Sequence, residues 1–337
     1  MDIQKQIATV WPQLHAMAEP AFQEVRTAKF VAESLRELGY TVEENVGGTT
    51  AVVGVLDSGR PGPTVAVRSD MDCLLFKQED GSEKAIHACG HDAHMTVALA
   101  VAQLVKEQGL PCGRVKLLFQ PAEEIGKGAL VLLEAGALDD VQYALGYHVM
   151  PKDMARSGQI IPQINWTACT LIEGEIRGLA AHGSQPHLGI NAIDVGAAIV
   201  NAVNALHSNP LLGGSVKTTR FIGGAGSLNA ICDKVSIGFD LRSTSNAEML
   251  VLRQRVADIV TNTAKLYGAE GESHIVGTCP AAEADPSLLA LTKEVIVDVL
   301  GTQGLLPAAN ITVGEDFNFF KQEKPELKTA SLGIGCD

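Results

Sequence analysis

Apolar residues recur along this chain at two different periods, and the switches between them mark out its elements. Residues 2–18 and 24–39 carry apolar side chains at helical spacing with a break at Glu19-Pro20, so two amphipathic helices are expected there. Thr49–Leu56 is a β-rich run closed by the turn formers Asp57-Ser58-Gly59-Arg60-Pro61-Gly62. Thr64–Arg68, Arg114–Phe119 and Tyr143–Tyr147 are short continuous apolar runs, the pattern of strands buried on both faces. Each ends in polar residues: Arg68-Ser69-Asp70-Met71-Asp72, then Gln120-Pro121-Ala122-Glu123-Glu124, then His148. Open α/β sheets place their sites at the carboxyl ends of strands. Met95, Ala98, Leu99, Ala102 and Val105 have helical spacing, and Asp92 suits the N-cap of that helix.

The pattern changes near residue 166. Beyond it the periods predict strand 168–178, helix 190–207, strands 215–222 and 234–242, helix 246–267 and strand 272–277. This βαββαβ order is that of a ferredoxin-like unit. The α/β style then returns, with helix 286–300, a segment at Asn310–Val313 and a last strand 328–334. The expected fold class is α/β. A first domain with a central mixed sheet flanked by helices (1–166 and 281–337) carries an inserted α+β satellite (167–280). A length of 337 residues, beyond the usual reach of one core, agrees with two domains.

Composition narrows the function. The apolar fraction of 46% is ample for packed cores, while 4% aromatics speaks against an aromatic-lined polymer binder. A net charge of −13 disfavours nucleic acid and anionic membranes, which both demand basic patches. No apolar run reaches bilayer length, and the first twenty residues lack the basic start and apolar core of a secretory signal. Seven scattered cysteines do not suggest a disulfide framework. A soluble protein of the reducing cytoplasm is expected. Cys73, Cys112, Cys169 and Cys279 read as small buried apolar residues, and Gly223-Gly224-Ala225-Gly226 as a turn rather than a phosphate cradle.

The chemistry is concentrated in His87-Ala88-Cys89-Gly90-His91-Asp92-Ala93-His94. In an extended segment Cys89 and His91, two apart, would point to one side. With Glu124 and His148 they make a thiolate, imidazole and carboxylate set that suits zinc, and in part manganese or cobalt. Adjacent Glu123 and Glu124 on a tight turn can diverge, one to a metal and one to substrate as a base. Asp72 suits the role of orienting a metal-bound histidine, and His87 and His94 flank the ligands.

HACGHDAH, the strand-terminal RSDMD, FQPAEE, GYH and the later GEDF resemble the amidohydrolase branch of the aminoacylase/carboxypeptidase metallopeptidases. That branch includes hippurate hydrolases, auxin-conjugate hydrolases and N-acetyldiaminopimelate deacetylase. The likeness runs from the N-terminus to residue 337 and keeps the order of the motifs. It implies hydrolysis of the amide bond of N-acyl amino acids or related small amide conjugates at a centre of two divalent ions (Zn, Mn or Co). Cys89, His91, Glu124 and His148 fall on metal ligands, and Glu123 on the general base. In RGLAAHGSQPHLGINAID, His182 falls on a histidine that contacts substrate across a homodimer formed by the satellite, and His187 on a second patterned histidine. Asn229 falls near the substrate, and Arg242 is a candidate clamp for its carboxylate.

The chain departs from the pattern in three ways. Ala180 and Ala181 replace glycines, Cys232 replaces a proline, and the chain stops at Asp337 before the last histidine ligand of the family. That last departure keeps a second class in play, a non-catalytic metal-binding or sensing protein on the same scaffold. Glu123 counts against it, because a pure binder needs no base. A thiol-redox protein acting through Cys89 is a third class, opposed by the lack of a second cysteine within three residues.

Overall fold

The computed structural model describes residues 3–224 and 226–337. Asp2, where the first helix was expected to begin, and Ala225 of the expected turn lie outside the described residues. The chain forms two compact units, Met1–Asn165 with Glu283–Asn310 and Glu315–Asp337, and Trp166–Ala282 with Ile311–Gly314.

In chain order the strands are β1 (Thr41–Val46), β2 (Ala51–Asp57), β3 (Thr64–Asp70), β4 (Leu74–Lys77), β5 (Glu83–Ile86), β6 (Arg114–Gln120), β7 (Tyr143–Met150) and β8 (Ile160–Ile161). There follow β9 (Ile164–Trp166), β10 (Ala168–Arg177), β11 (Gly214–Gly223), β12 (Lys234–Ser243), β13 (Glu270–Cys279), β14 (Ala309–Ile311) and β15 (Lys328–Gly335). The helices are α1 (Ile3–His15), α2 (Val25–Glu37), α3 (His91–Gln108), α4 (Gly128–Glu134), α5 (Ala192–Asn204), α6 (Asn246–Leu266), α7 (Pro286–Leu300) and α8 (Phe319–Glu323).

The first unit holds a seven-stranded sheet in the order β1-β2-β6-β3-β7-β15-β8. Its four middle strands, β6, β3, β7 and β15, run parallel, and β2 and β8 border them antiparallel. Alternate side chains of one strand go to opposite faces. Val52, Leu117 and Phe119 therefore pack with Leu14, Val31, Leu35, Met95 and Leu99 of α1, α2 and α3. Val53 and Leu118 pack instead with Leu132, Phe319 and Phe320 of α4 and α8. The chain leaves β3 for its neighbour β6 through α3, then crosses back to its other neighbour β7 through α4. Reversal of direction opens a crevice at the carboxyl end of β3.

The second unit is a four-stranded antiparallel sheet, β11-β12-β10-β13, reached in the order β10-α5-β11-β12-α6-β13. One face is core: Ile172, Ile176, Ile237 and Phe239 pack with Val195 and Ile199 of α5 and Leu252 and Val256 of α6. Along β10 the alternate positions, Cys169 to Glu175, are half-buried or exposed.

Local expectations needed correction at several points. α3 begins at His91 behind Gly90, which has φ 82° and no side-chain cap. Asp92 is thus inside the first turn rather than at the N-cap, and its carboxylate accepts from His15 Nδ1 at 2.7 Å. Cys89 and His91 are joined by a turn instead of an extended segment. β7 continues to Met150, so His148 lies within the strand rather than beyond its end. β1, the β4–β5 hairpin, α4 and α8 were not foreseen, being short or polar. In β1 only Val46 is buried.

Candidate metal centre

Three of the expected ligands meet at the carboxyl end of β3. Cys89, His91 and Glu124 each offer a ligand atom within 4.8 Å of the others. The turn that brings them there depends on Gly90. Its left-handed φ suits a residue without Cβ, and an added Cβ would lie 2.5 Å from Val149 Cγ2. His91, 1% exposed, donates from Nδ1 to the Asp72 carbonyl at 2.9 Å. Its Nε2 then faces Glu123 and Glu124 carboxylate oxygens, each at 3.9 Å. Such a bond from the distal nitrogen fixes a ligand histidine's tautomer and ring direction.

The glutamates sit on one turn of 3₁₀ helix, Glu123–Ile125, entered through Ala122 at φ 56°. A non-glycine residue in the left-handed region costs roughly 1–2 kcal/mol. Two buried carboxylates hold the turn in place. Asp72 accepts from the backbone N–H groups of Glu123 and Glu124 at 3.1 and 3.0 Å. Glu24, 0% exposed, accepts from Ala122 N–H at 3.0 Å and from the Thr50 hydroxyl. Asp72 thus orients His91 through its carbonyl and the glutamate pair through its carboxylate. Glu24 was missed, since nothing in its sequence neighbourhood marks it.

His148 lies nearby, its ring 6.3 Å from that of His91 and 4.6 Å from that of His94, but it belongs to no cluster with a 4.8 Å spread. Its Nδ1 donates to the Val149 carbonyl at 2.6 Å. His94 clusters with Asp70 and His91, yet both its nitrogens are engaged. Nδ1 donates to Asp70 at 2.6 Å and Nε2 accepts from Val149 N–H at 2.9 Å. This arrangement makes His94 a brace between β3, α3 and β7.

A further cluster joins Glu123 to Glu315 and Asp316 of the GEDF segment. Fully buried Arg68 bonds Asp70, Glu315 and Asp316 at 2.6, 2.9 and 2.7 Å. Gln120 donates to both Asp316 oxygens, at 2.7 and 2.9 Å. A guanidinium among three carboxylates leaves net negative charge here, and a buried excess charge demands compensation.

Titration behaviour follows from that excess. Burial raises Glu123 well above the usual carboxylate range, and the charges of Glu315 and Asp316 add to this against Arg68 and His91. Burial raises Glu124 as well. Burial opposes charge on His91, but Asp70, Asp72 and Glu123 prevail and lift it to about 10. Burial and Glu124 push the Cys89 thiol up. Asp70 is held low, against its burial, by His91, His94 and Arg68.

The donor chemistry fits divalent cations. Thiolate, imidazole and carboxylate converge, and Glu124 Oε1 is buried without a hydrogen-bond partner. An orphaned buried carboxylate oxygen beside an imidazole is a cation-ready acceptor. Beside this set, Glu315 and Asp316 add further hard oxygen donors next to Glu123.

In the second unit His182 and Asn229 come together. His182 Nε2 is 3.5 Å from Asn229 Nδ2, and Gly183 N–H donates to the Asn229 carbonyl at 2.7 Å. His182 Nδ1 pairs with the Ser184 hydroxyl at 2.7 Å. His187 lies exposed on the short Pro186–Leu188 turn. Cys232, in place of the family's proline, is buried and accepts from Gly224 N–H at 3.2 Å. Arg242 forms a two-point pair with Asp240, at 2.7 and 3.0 Å, and donates to the Thr312 carbonyl at 3.2 Å.

An α/β sheet with clustered metal donors at its strand ends, and a base-competent carboxylate beside them, defines a metal-dependent hydrolase. The chain belongs to peptidase family M20/M25/M40, whose model matches residues 66–337. It is 32% identical to thermostable carboxypeptidase 1 of Saccharolobus solfataricus, over 99% of this chain and 88% of that protein. It is 31% identical to IAA-amino acid hydrolase ILR1-like 4 of Arabidopsis thaliana, over 93% and 74%. The fold matches that of the Bacillus subtilis YXEP protein, a dinuclear metal binding peptidase from this family. The TM-score is 0.82 at 24% identity, covering 99% of this chain and 89% of that one. The chain is a metal-dependent amidohydrolase whose separate donor clusters are consistent with a dinuclear divalent-metal site, and the presence of those donors disfavours a purely metal-binding role.

Proposed function

We propose that this amidohydrolase cleaves the amide bond of small N-acyl amino acids, with Glu123 as general base and Cys89, His91, Glu124 and His148 as metal ligands. The observation that carries the reading is the Cys89–His91–Glu124 cluster with its orphaned carboxylate oxygen, next to a second carboxylate, Glu123, that burial and like charge make basic. Bound divalent ions supply the Lewis acidity that polarises an amide carbonyl and makes water acidic near neutral pH. Glu123 takes one proton from the attacking water as the new C–O bond forms. The same carboxyl hands that proton to the amide nitrogen as the C–N bond breaks, leaving a carboxylic acid and an amine. His182 donates a hydrogen bond to the oxyanion as charge builds on it. Asn229, His187 and Arg242 contact the substrate, Arg242 through its carboxylate.

The working molecule in this proposal is a homodimer through the second unit. Its setting is the reducing cytoplasm, a reading supported by seven cysteines scattered without a repeating spacing. No helix among the described residues is long and apolar enough to cross a membrane.

The test is metal analysis of the purified protein combined with turnover of N-acetyl, N-benzoyl and N-indoleacetyl amino acids. Activity on at least one class, abolished by a chelator and restored by a divalent metal, is expected. Metal-loaded protein inert towards the whole panel would sink the substrate assignment.

A further inference from the structure

On the half-exposed face of the second unit's sheet, one pair of cysteines has no part in the proposed reaction. Cys169 on β10 stands opposite Cys279 of β13 on one side and opposite Arg242 of β12 on the other. Directly opposed residues of antiparallel strands have Cα atoms about 4.5 or 5.5 Å apart. A disulfide spans Cα separations of about 4.4–6.8 Å, so either kind of pair lies within the Cα range of a disulfide. The sulfurs share one patch. A Cβ placed on Gly314 would lie 2.7 Å from Cys169 Sγ and 3.6 Å from Cys279 Sγ. Both cysteines are half-buried, which leaves them reachable by a small reagent, and neither is in a disulfide.

The next rung holds the register rigid. Thr170 and Thr278 hydroxyls are 3.1 Å apart on the helix-covered face, and Arg253 of α6 donates to both.

We infer that Cys169 and Cys279 form a reversible cross-strand dithiol–disulfide couple, oxidised by low-molecular-weight disulfides with Cys169 as the attacking thiol. Cys169 loses its proton and its sulfur bonds to one sulfur of the reagent. The reagent's S–S bond breaks and one thiolate leaves, taking up a proton. Cys279 then loses its proton, its sulfur bonds to that of Cys169, and the second reagent thiolate leaves. The protein gives up two electrons and two protons, and the reagent disulfide becomes two thiols. The order of attack follows from the surroundings. A hydrogen bond from Cys279 holds the Cys169 thiol down to about 6 against its burial, and the Arg242 guanidinium helps. The thiolate is the attacking form. Gly314, which covers the pair, leads directly into Glu315 and Asp316, the residues that bond Arg68.

The test equilibrates the full-length protein in reduced and oxidised glutathione at graded ratios. After acid quenching, alkylation and digestion, mass spectrometry maps each cysteine. A Cys169–Cys279 linked peptide should accumulate as the oxidised fraction rises, and dithiothreitol should return both residues to the alkylated form. Alkylation of both at every ratio, in the wild-type protein, overturns the couple. Cys279→Ser should trap Cys169 as its glutathione adduct, while Cys169→Ser leaves Cys279 largely unreacted. The reverse pattern overturns Cys169 as the attacking thiol. Exposed Cys112 and Cys336 report how far the reagent modifies other surface thiols.

Discussion

Adjacent glutamates look alike to chemistry, and at this site their surroundings separate them. Both lie 3.9 Å from His91 Nε2, but Glu124 presents an orphaned oxygen there, whereas Glu123 also clusters with Glu315 and Asp316. Glu123→Gln preserves shape and removes basicity, so metal content should survive while turnover falls about a hundredfold or more. Glu124→Gln should lose metal. Elemental analysis with a turnover assay separates the two, and opposite metal losses would show the roles are reversed. Protons and metal also compete here. In the metal-free protein the Cys89 thiol is pushed up and His91 titrates at about 10, so metal uptake must release protons. Affinity should therefore rise with pH in competition titrations. Because the folded His91 value lies above its ordinary 6.5, His91 stabilises the metal-free fold fully below that pH. The contribution is lost as pH rises through about 10. Thermal melts of metal-free and metal-loaded protein across this window should converge at the low end and separate towards the high end. Identical pH profiles for the two forms would refute the linkage.

At the level of elements, the centre depends on how two loops enter two helical turns. Gly90 turns the chain into α3 with a left-handed φ and no room for a Cβ against Val149. Gly90→Ala should cost roughly 1–2 kcal/mol of backbone strain. The turn can relieve this by moving Cys89 away from His91. The loss should then appear mainly as weaker metal binding, about tenfold or more, since 1.4 kcal/mol is a factor of ten. A competition assay with a chromophoric chelator measures it, and unchanged affinity would mean that the turn does not set the ligand geometry. α6 shows how tertiary contacts redirect a local motif. Ser245 accepts from Glu248 N–H at 3.3 Å as a cap should, but Glu248 bonds Asn209 N–H rather than reaching back to Ser245. The Glu248 carboxylate thereby ties the helix start to the loop before β11.

For the whole molecule, the proposed homodimer predicts a species of two chains in analytical ultracentrifugation at tens of micromolar. A monomer at that concentration would count against it. Metal should also matter globally, because an ion that binds only the folded state stabilises it by mass action. The acidic balance of −13 is partly local, since Asp70, Glu123, Glu315 and Asp316 gather around one buried arginine.

Much of the architecture was legible because it repeats along the chain. Apolar runs marked β3, β6 and β7, and the βαββαβ order and α7 follow from periodicity alone, since burial against a sheet imposes a period that local sequence records. HACGHDAH and PAEE announced donors because so many ligand types rarely crowd together. Other features depended on contacts remote in sequence. Ile311–Gly314 joins the second unit although its neighbours on both sides belong to the first, a placement that no period encodes. Arg68 finds Asp316 across 248 positions, and Glu24 reaches Ala122 across 98. Cys169 and Cys279 read as ordinary buried thiols until strand register set them side by side. Which residues could ligate, donate or pack is written in the side chains themselves and needs no fold. Which of them meet and at what distance, and hence which carboxylate is orphaned and which thiol is acidic, came from the packing, because solvation and Coulomb energies depend on neighbours in space.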